Sequence, residues 1–309
     1  MSIAEEFMDL FLDAHPQVRT GNLNMNEIDR LIAEHENTLN ELPLKDFDGL
    51  NTAQLKDLIN DTLSNNSILK FRQDIAEHVD KVPLFILSEL LLNAIQESGS
   101  IELTETGTLP AHICELLYTQ NLISTPYENV KNFNEDNISC LWSVRQYLLD
   151  SGMAKKRHNV LTLTKKGEKA IKGPKTDRFL TLFNYMSNSF QWSNFYDRDE
   201  KGRHGQFGWA YSVVLLSIYG GVARDSRFYS NKLIHALDNT SFQIYKQIRD
   251  ERHLEHDQAT YDICFFDFFA TWFGLVNIER KTEFSIYHKS ELSITKSPLL
   301  DQLFEITPW

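Results

Sequence analysis

LLDSGMAKKRHNVLTLTKKGEKAIKG, residues Leu148 to Gly173, is the stretch whose reading decides the fold. Gly152 closes an apolar helical run, and Met153 to Arg157 and Val160 to Thr164 can each extend as strands. His158-Asn159 sits between them where a tight turn is needed. A second helix opens at the lysines that follow Thr164. The expectation is therefore helix, β-hairpin, helix, with Lys155, Lys156, Arg157, His158, Lys165 and Lys166 at the tip and exit of the hairpin. Between Ser151 and Arg178 there are nine Lys and Arg against two acids.

That island is unusual for its host. The 309-residue chain carries a formal net charge of −12, and residues 1 to 80 alone hold 16 Asp and Glu against 6 Lys and Arg. A basic island on an acidic protein can still face phosphate, although the whole-molecule field slows the approach. The acidity of the first 80 residues reads either as a partner surface or, more simply, as the solvated faces of amphipathic helices. Hydrophobic content of 42% and charged content of 24% are ordinary globular values, and the length supports two or three domains. The densest apolar run, Leu84 to Ile95, is broken by Ser88, Glu89 and Asn93, and the start MSIAEEFMDLF is acidic. A cytoplasmic chain without a membrane partner is expected. Cys114, Cys140 and Cys264 have no CxxC spacing and read as reduced, buried thiols.

Read in order, the N-terminal region (1–82) carries helical spacings at Ile3, Phe7, Leu10 and Phe11, at Ile28 to Leu39, at Leu55 to Leu63, and at Ile68, Phe71, Ile75 and Val79. Pro83 opens a helix that ends near Gly99. Ile101 to Thr104 reads as a strand, Gly107 as a turn, and Leu109 to Tyr118 as a helix with Pro110 in its first turn. A third helix, marked by Ile138, Leu141, Trp142, Leu148 and Leu149, runs into the basic hairpin. The order is helix, strand, helix, helix, strand, strand.

In that order, and in the phrases LLDSGMAKKR and LTLTKKGEKAI, residues 83–173 resemble the winged-helix superfamily and its MarR-like regulators. The segments SGSIELTETGTLP and LTLTKKGEKAI are also similar to the C-terminal region of plasmid- and transposon-associated bacterial proteins. The resemblance implies a third helix, Asn137 to Ser151, that enters the major groove of double-stranded DNA, and a wing at Lys155 to His158 that touches the backbone. Arg145 is the implied base or phosphate contact on that helix. A long loop from Asn121 to Asn137 and the few polar side chains of the helix count against sequence reading.

Past a connecting helix at Phe179 to Phe190, the stretch QWSNFYDRDEKGRHGQFG reads as an interdomain linker, which gives a connecting segment at 181–208. The grammar then repeats from Trp209: WFGLVNIER parallels DSGMAKKR, and LSITKSPLL parallels LTLTKKGEK. A second winged-helix-like unit is expected at 209–309, with an extra strand at Phe284 to His288. Its helix from Tyr261 to Phe273 carries seven aromatic residues that must be hidden by the local hairpin, by the preceding helix from Trp209 or by another chain, and part of it or its neighbour is expected to contact the first unit (83–180) or a second copy.

No catalytic constellation stands out. Asp197, Asp199 and Gly202 lack the ligands of a calcium loop, His253 and His256 lack a metalloprotease context, and the glycines at 202, 205 and 208 form no phosphate loop. The expectation is a mainly α (α+β), non-enzymatic protein without cofactor or metal. It has a helical N-terminal region and two winged-helix-like units with small antiparallel wings. Its expected role is that of a DNA-associated regulator or mobile-element accessory factor. The alternative is a protein-interaction scaffold that uses winged-helix folds without DNA, with a protein partner or homo-oligomer formed through the C-terminal unit.

Overall fold

The computed structural model describes residues 3–21, 23–123, 133–195, 203–239, 251–280 and 291–309. Helix α1 (Ile3–Ala14) is followed by α2 (Met25–Glu41) and α3 (Thr52–Asn60). Asn24 and Asn51 start the latter two in the same way. Each side chain accepts from the backbone N–H three residues on, while Glu27 or Gln54 accepts from the N–H of the capping residue. Two donors that a helix start leaves orphaned are thereby satisfied.

The helical spacing of Ile68, Phe71, Ile75 and Val79 does not give a helix. Leu69–Phe71 is strand β1, followed by short 3-10 turns at Ile75–Glu77 and Val79–Lys81. Its partner comes from the far end of the chain: Leu69 lies opposite Ile306 and Phe71 opposite Phe304 in an antiparallel pair with Phe304–Ile306. A distant partner sets the extended backbone here, and a period read along one segment carries no trace of it.

Next come α4 (Pro83–Ser98), β2 (Ile101–Glu102), α5 (Ala111–Tyr118), α6 (Ser139–Asp150), β3 (Ala154–Arg157) and β4 (Val160–Leu163). The three strands form one antiparallel sheet in the order β2-β4-β3. His158 and Asn159 have φ of 49° and 57°. Two left-handed residues in a row make the type I′ turn that matches the twist of a two-residue hairpin. Then α7 (Lys165–Lys172) leads to α8 (Lys175–Asn184), which ends in a π turn over Tyr185–Ser189.

After the short α9 (Arg203–Phe207), the same order recurs. It consists of α10 (Trp209–Tyr219), β5 (Arg224–Asp225), α11 (Ser226–Asn239), α12 (Glu251–Tyr261) with a π-helical continuation Asp262–Ala270, β6 (Val276–Arg280) and β7 (Leu292–Lys296). The sheet order is β5-β7-β6, again with the last strand in the middle. β5 is too short to leave a period in the sequence, and the strand expected at Phe284 to His288 lies outside the described residues. Finally, α13 (Pro298–Leu303) leads into β8 (Phe304–Ile306), the partner of β1.

The parallel between DSGMAKKR and WFGLVNIER extends to individual bonds. Gly152 and Gly274, with φ of 71° and 67°, each turn a helix into a strand. Thr164 donates its hydroxyl to Gly152 O at 2.6 Å and its N–H to Met153 O at 3.0 Å. Ser297 donates its hydroxyl to Gly274 O, and its N–H to Leu275 O at 2.9 Å. Each hydroxyl also caps the helix that follows, accepting from the N–H of Gly167 or Leu299.

One hydrophobic core runs from Phe47 to Phe304. Phe183 of α8 stands at its centre, with ring centroids 4.8 Å from Phe273, 5.1 Å from Phe71, 5.7 Å from Phe269 and 5.7 Å from Phe304. All seven aromatics between Tyr261 and Phe273 are buried. Their cover includes α8, so a residue set outside 209–309 supplies it within the same chain. The stretch expected as a linker is packed at its described ends. Trp192 is buried with Nε1 donating to Met186 O, and Gln206 Nε2 donates to Phe190 O at 2.6 Å.

Candidate nucleic-acid interface

The hairpin presents its cations on two faces. Lys156 lies opposite Leu161, Lys155 opposite Thr162 and Arg157 opposite Val160. Residues directly opposite share a face, so Lys156 lies on the same side as buried Leu161, while Lys155 and Arg157 project from the other. The Lys156 ammonium lies against Gly107, where any side chain would collide with it, and Gly107 has a φ of 81°. Asn159 at the turn reaches the same loop, its Nδ2 donating to Glu105 O at 3.4 Å. The hairpin tip is thus fixed against the 104–108 loop, and His158 beside it is exposed.

Other members of the basic island are committed to structure. Lys166 donates to Ser151 O at 2.7 Å and so caps the end of α6. Lys175 pairs with Asp80 at 2.7 Å. Arg178 is buried; it holds both carboxylate oxygens of Glu89 and donates from Nη1 to Ala170 O and Gly173 O. The hydrogen bonds from its guanidinium to Glu89 hold the Arg178 pKa above the ordinary arginine value, despite burial. That leaves Lys155, Arg157, Lys165, Lys169 and Lys172 as exposed side chains without an ion-pair partner among the described residues.

Arg145 is not at the surface. It is 8% exposed, and its Nε donates at 2.6 Å to Glu135, which is fully buried and also accepts from the Leu109 N–H at 2.6 Å. Burial pushes the Glu135 carboxyl above its ordinary pKa even with the guanidinium beside it. Arg145, expected at a base or phosphate, is thus buried and paired inside the fold, where it holds the 109 and 135 loops to α6. No local pattern signals this pairing. Glu135 sits in the acidic run Asn134-Glu135-Asp136, which reads as solvated.

The whole of α6 is covered in the same way. Asp150 is its one exposed residue. Trp142 packs on Phe190 at 5.6 Å and Tyr147 on Tyr185 at 5.5 Å, while the Tyr185 hydroxyl donates to Asp150 at 2.6 Å and the Tyr147 hydroxyl to Arg178 O at 3.2 Å. The helix expected to enter a major groove, Asn137 to Ser151, thus lies beneath α8 and its π turn. Of the other polar side chains on the helix, Ser143 is buried and donates to Ser139 O, and Gln146 is half-buried and donates to the exposed Asp150.

Two half-buried carboxylates that the sequence did not single out lie elsewhere. Asp48 accepts from Tyr211 at 2.7 Å, Tyr219 at 2.6 Å and Lys232 at 2.5 Å, and its carbonyl accepts from Trp309 Nε1. Burial alone would raise the Asp48 pKa, but the hydrogen bonds from Lys232, Tyr219 and Tyr211, with the Lys232 charge, outweigh it and hold the carboxyl below the usual range. Asp262, at the start of the π-helical segment, is the reverse case. Burial pushes its carboxyl up to about 8 although Ser226 donates to it at 2.7 Å, so it is protonated at neutral pH. Burial also drives the Cys114 thiol up to about 12, which removes it as a nucleophile at physiological pH. Among the described residues, no three His, Cys, Asp or Glu side chains gather where they could hold a metal ion, and no helix is long and apolar enough to cross a membrane.

No known protein family, no curated protein and no solved structure matches the chain.

Proposed function

We propose that the chain is a non-enzymatic interaction scaffold built from two tandem winged-helix-like units, and that it does not read DNA sequence. The winged-helix reading is supported by the order helix, strand, helix, helix, strand, strand, present twice with the last strand central in each sheet. The observation that carries the choice of scaffold over regulator is the covering of the third helix. Sequence readout needs polar and cationic side chains at base edges in the groove, whereas on α6 Ser143 and Arg145 are buried and the one exposed residue is the acidic Asp150. In the second unit the corresponding segment, Cys264 to Ala270, is buried throughout.

What remains for phosphate is the exposed cationic surface of Lys155, Arg157, Lys165, Lys169 and Lys172. Contacts of that kind position a protein on a duplex without specifying sequence. The test is selection from a random-sequence duplex library, with filter binding at two salt concentrations. The expected outcome is no enriched motif, and any low-salt retention lost in the Lys155→Ala/Arg157→Ala variant, with a salt slope shallower by about 0.9 per phosphate contact removed. Recovery of a defined site that the full chain prefers over random duplex would overturn the proposal.

A further inference from the structure

The acidic end of the chain forms an arm of its own. Phe11 is buried yet lies outside the main core, in a separate cluster where it meets Phe7 at 6.3 Å, His15 at 5.0 Å and His35 at 5.6 Å. This cluster joins α1 to α2. Along the 17 residues of α2, His35 is the one buried residue. Four of the nine exposed large apolar side chains among the described residues lie here: Met25 is 70% exposed, Leu10 and Leu42 50%, and Met8 47%.

Helical geometry places Met25, Asp29, Ile32 and Glu36 on one side of α2, which is therefore both apolar and acidic. Residues 1 to 44 hold nine carboxylates against two arginines. The hairpin and α7 present the opposite charge, with Lys155, Arg157, Lys165, Lys169 and Lys172 exposed and without ion-pair partners among the described residues. Met25 adds an exposed apolar side chain to the acidic face of α2. A strand of duplex accounts for the lysines but not for the arm.

We propose that the acidic face of α2 in one copy docks on the basic hairpin and α7 of a second copy. The proposal rests on the scaffold reading and names the partner as the chain itself. Each copy carries both surfaces, so two contacts related by a two-fold axis close a dimer, and the same contact without that axis grows a chain. The apolar side chains supply contact area, and the opposite charges set orientation and encounter rate.

Light scattering coupled to gel filtration, with sedimentation as a second measure, tests it. At about 100 μM protein, a concentration that reveals dissociation constants in the micromolar range, wild type is expected to associate at about 50 mM salt and to be monomeric at about 500 mM, where screening shortens the reach of the charges. Two exposed charge-reversal variants, Lys155→Glu/Arg157→Glu/Lys169→Glu and Asp29→Lys/Glu36→Lys, should each be at least about tenfold weaker in self-association. Circular dichroism confirms that each variant is folded. Mixed together they should form a complex with each other, because each then presents the charge the other lacks. A monomeric wild type at low salt, or association indifferent to both reversals, would overturn the proposal. Neither result bears on the duplex-selection experiment, so the two readings fail separately.

Discussion

Arg145 and Glu135 join two parts of the chain ten residues apart, in a setting where neither charge reaches water. Removing one partner of such a pair leaves the other desolvated and unpaired, which is far more costly than never having had the pair. Arg145→Ala is expected to destabilise the protein by about 3–5 kcal/mol, read as a lower urea midpoint. Replacing both residues by apolar ones of similar volume should cost less than the single change. Duplex retention per folded molecule should be unchanged in Arg145→Ala. An unchanged midpoint with lost duplex affinity would return Arg145 to the role of a DNA contact. Lys155 and Arg157 differ from Arg145 because exposure, unlike pairing, follows directly from a hairpin turn: the two alternate with Lys156 across the strand.

At the scale of elements, the joint after the hairpin is the most constrained. A Cβ on Gly167 would run into the backbone carbonyl of Met153, the same carbonyl that accepts from Thr164. Here α7 therefore sits closer to the strand entry than any side chain permits. Gly167→Ala is expected to cost about 1–3 kcal/mol from this overlap, although alanine is the better helix former by about 1 kcal/mol. Thermal unfolding measures the balance, and a stabilised variant would mean that α7 can move away. The second unit places Leu300, a buried leucine, at the corresponding position after Ser297. The repeated grammar thus extends through the capping hydroxyl and stops at the helix it starts.

For the molecule as a whole, Asp48 is the tie between the N-terminal region and the C-terminal unit. Its partners Tyr211, Tyr219 and Lys232 are 163 to 184 residues away in sequence, and the β1–β8 pair joins the same two regions. Asp48→Ala is expected to destabilise the fold by about 2–3 kcal/mol, since it strands a lysine and two tyrosine hydroxyls. The pH dependence follows from the lowered folded pKa. Below its folded value Asp48 is protonated in both states and the charge contributes nothing; above the unfolded value of about 3.9 the contribution is complete. The gap between wild type and Asp48→Ala in urea midpoint should therefore be full at neutral pH and shrink as pH falls below about 4. A gap that stays constant down to pH 2 would show that the carboxylate charge plays no part. Loss of the tie should also not split unfolding into two transitions, because Phe183 contacts both Phe71 and the C-terminal Phe273 and Phe304, and Phe71 stacks directly on Phe304.

The sequence by itself determined what is settled over a few residues. The left-handed turn at His158-Asn159, the glycine joints at 152 and 274, the capping residues Thr164 and Ser297, and the doubled phrase that contains them are all local. Their backbone preferences act through neighbours one to four positions away, and such preferences leave a readable pattern. Only the tertiary structure decided that residues 69–71 are a strand, that α6 is roofed by α8 and the π turn, that Arg145 is paired with Glu135, and that Asp48 gathers two tyrosines and a lysine. Each of these depends on which distant segment arrives to compete with water for a hydrogen bond or an apolar face. Contacts between distant segments impose no period on either one, so the same lysines and arginines read alike in the chain whether they end in solvent or in the core.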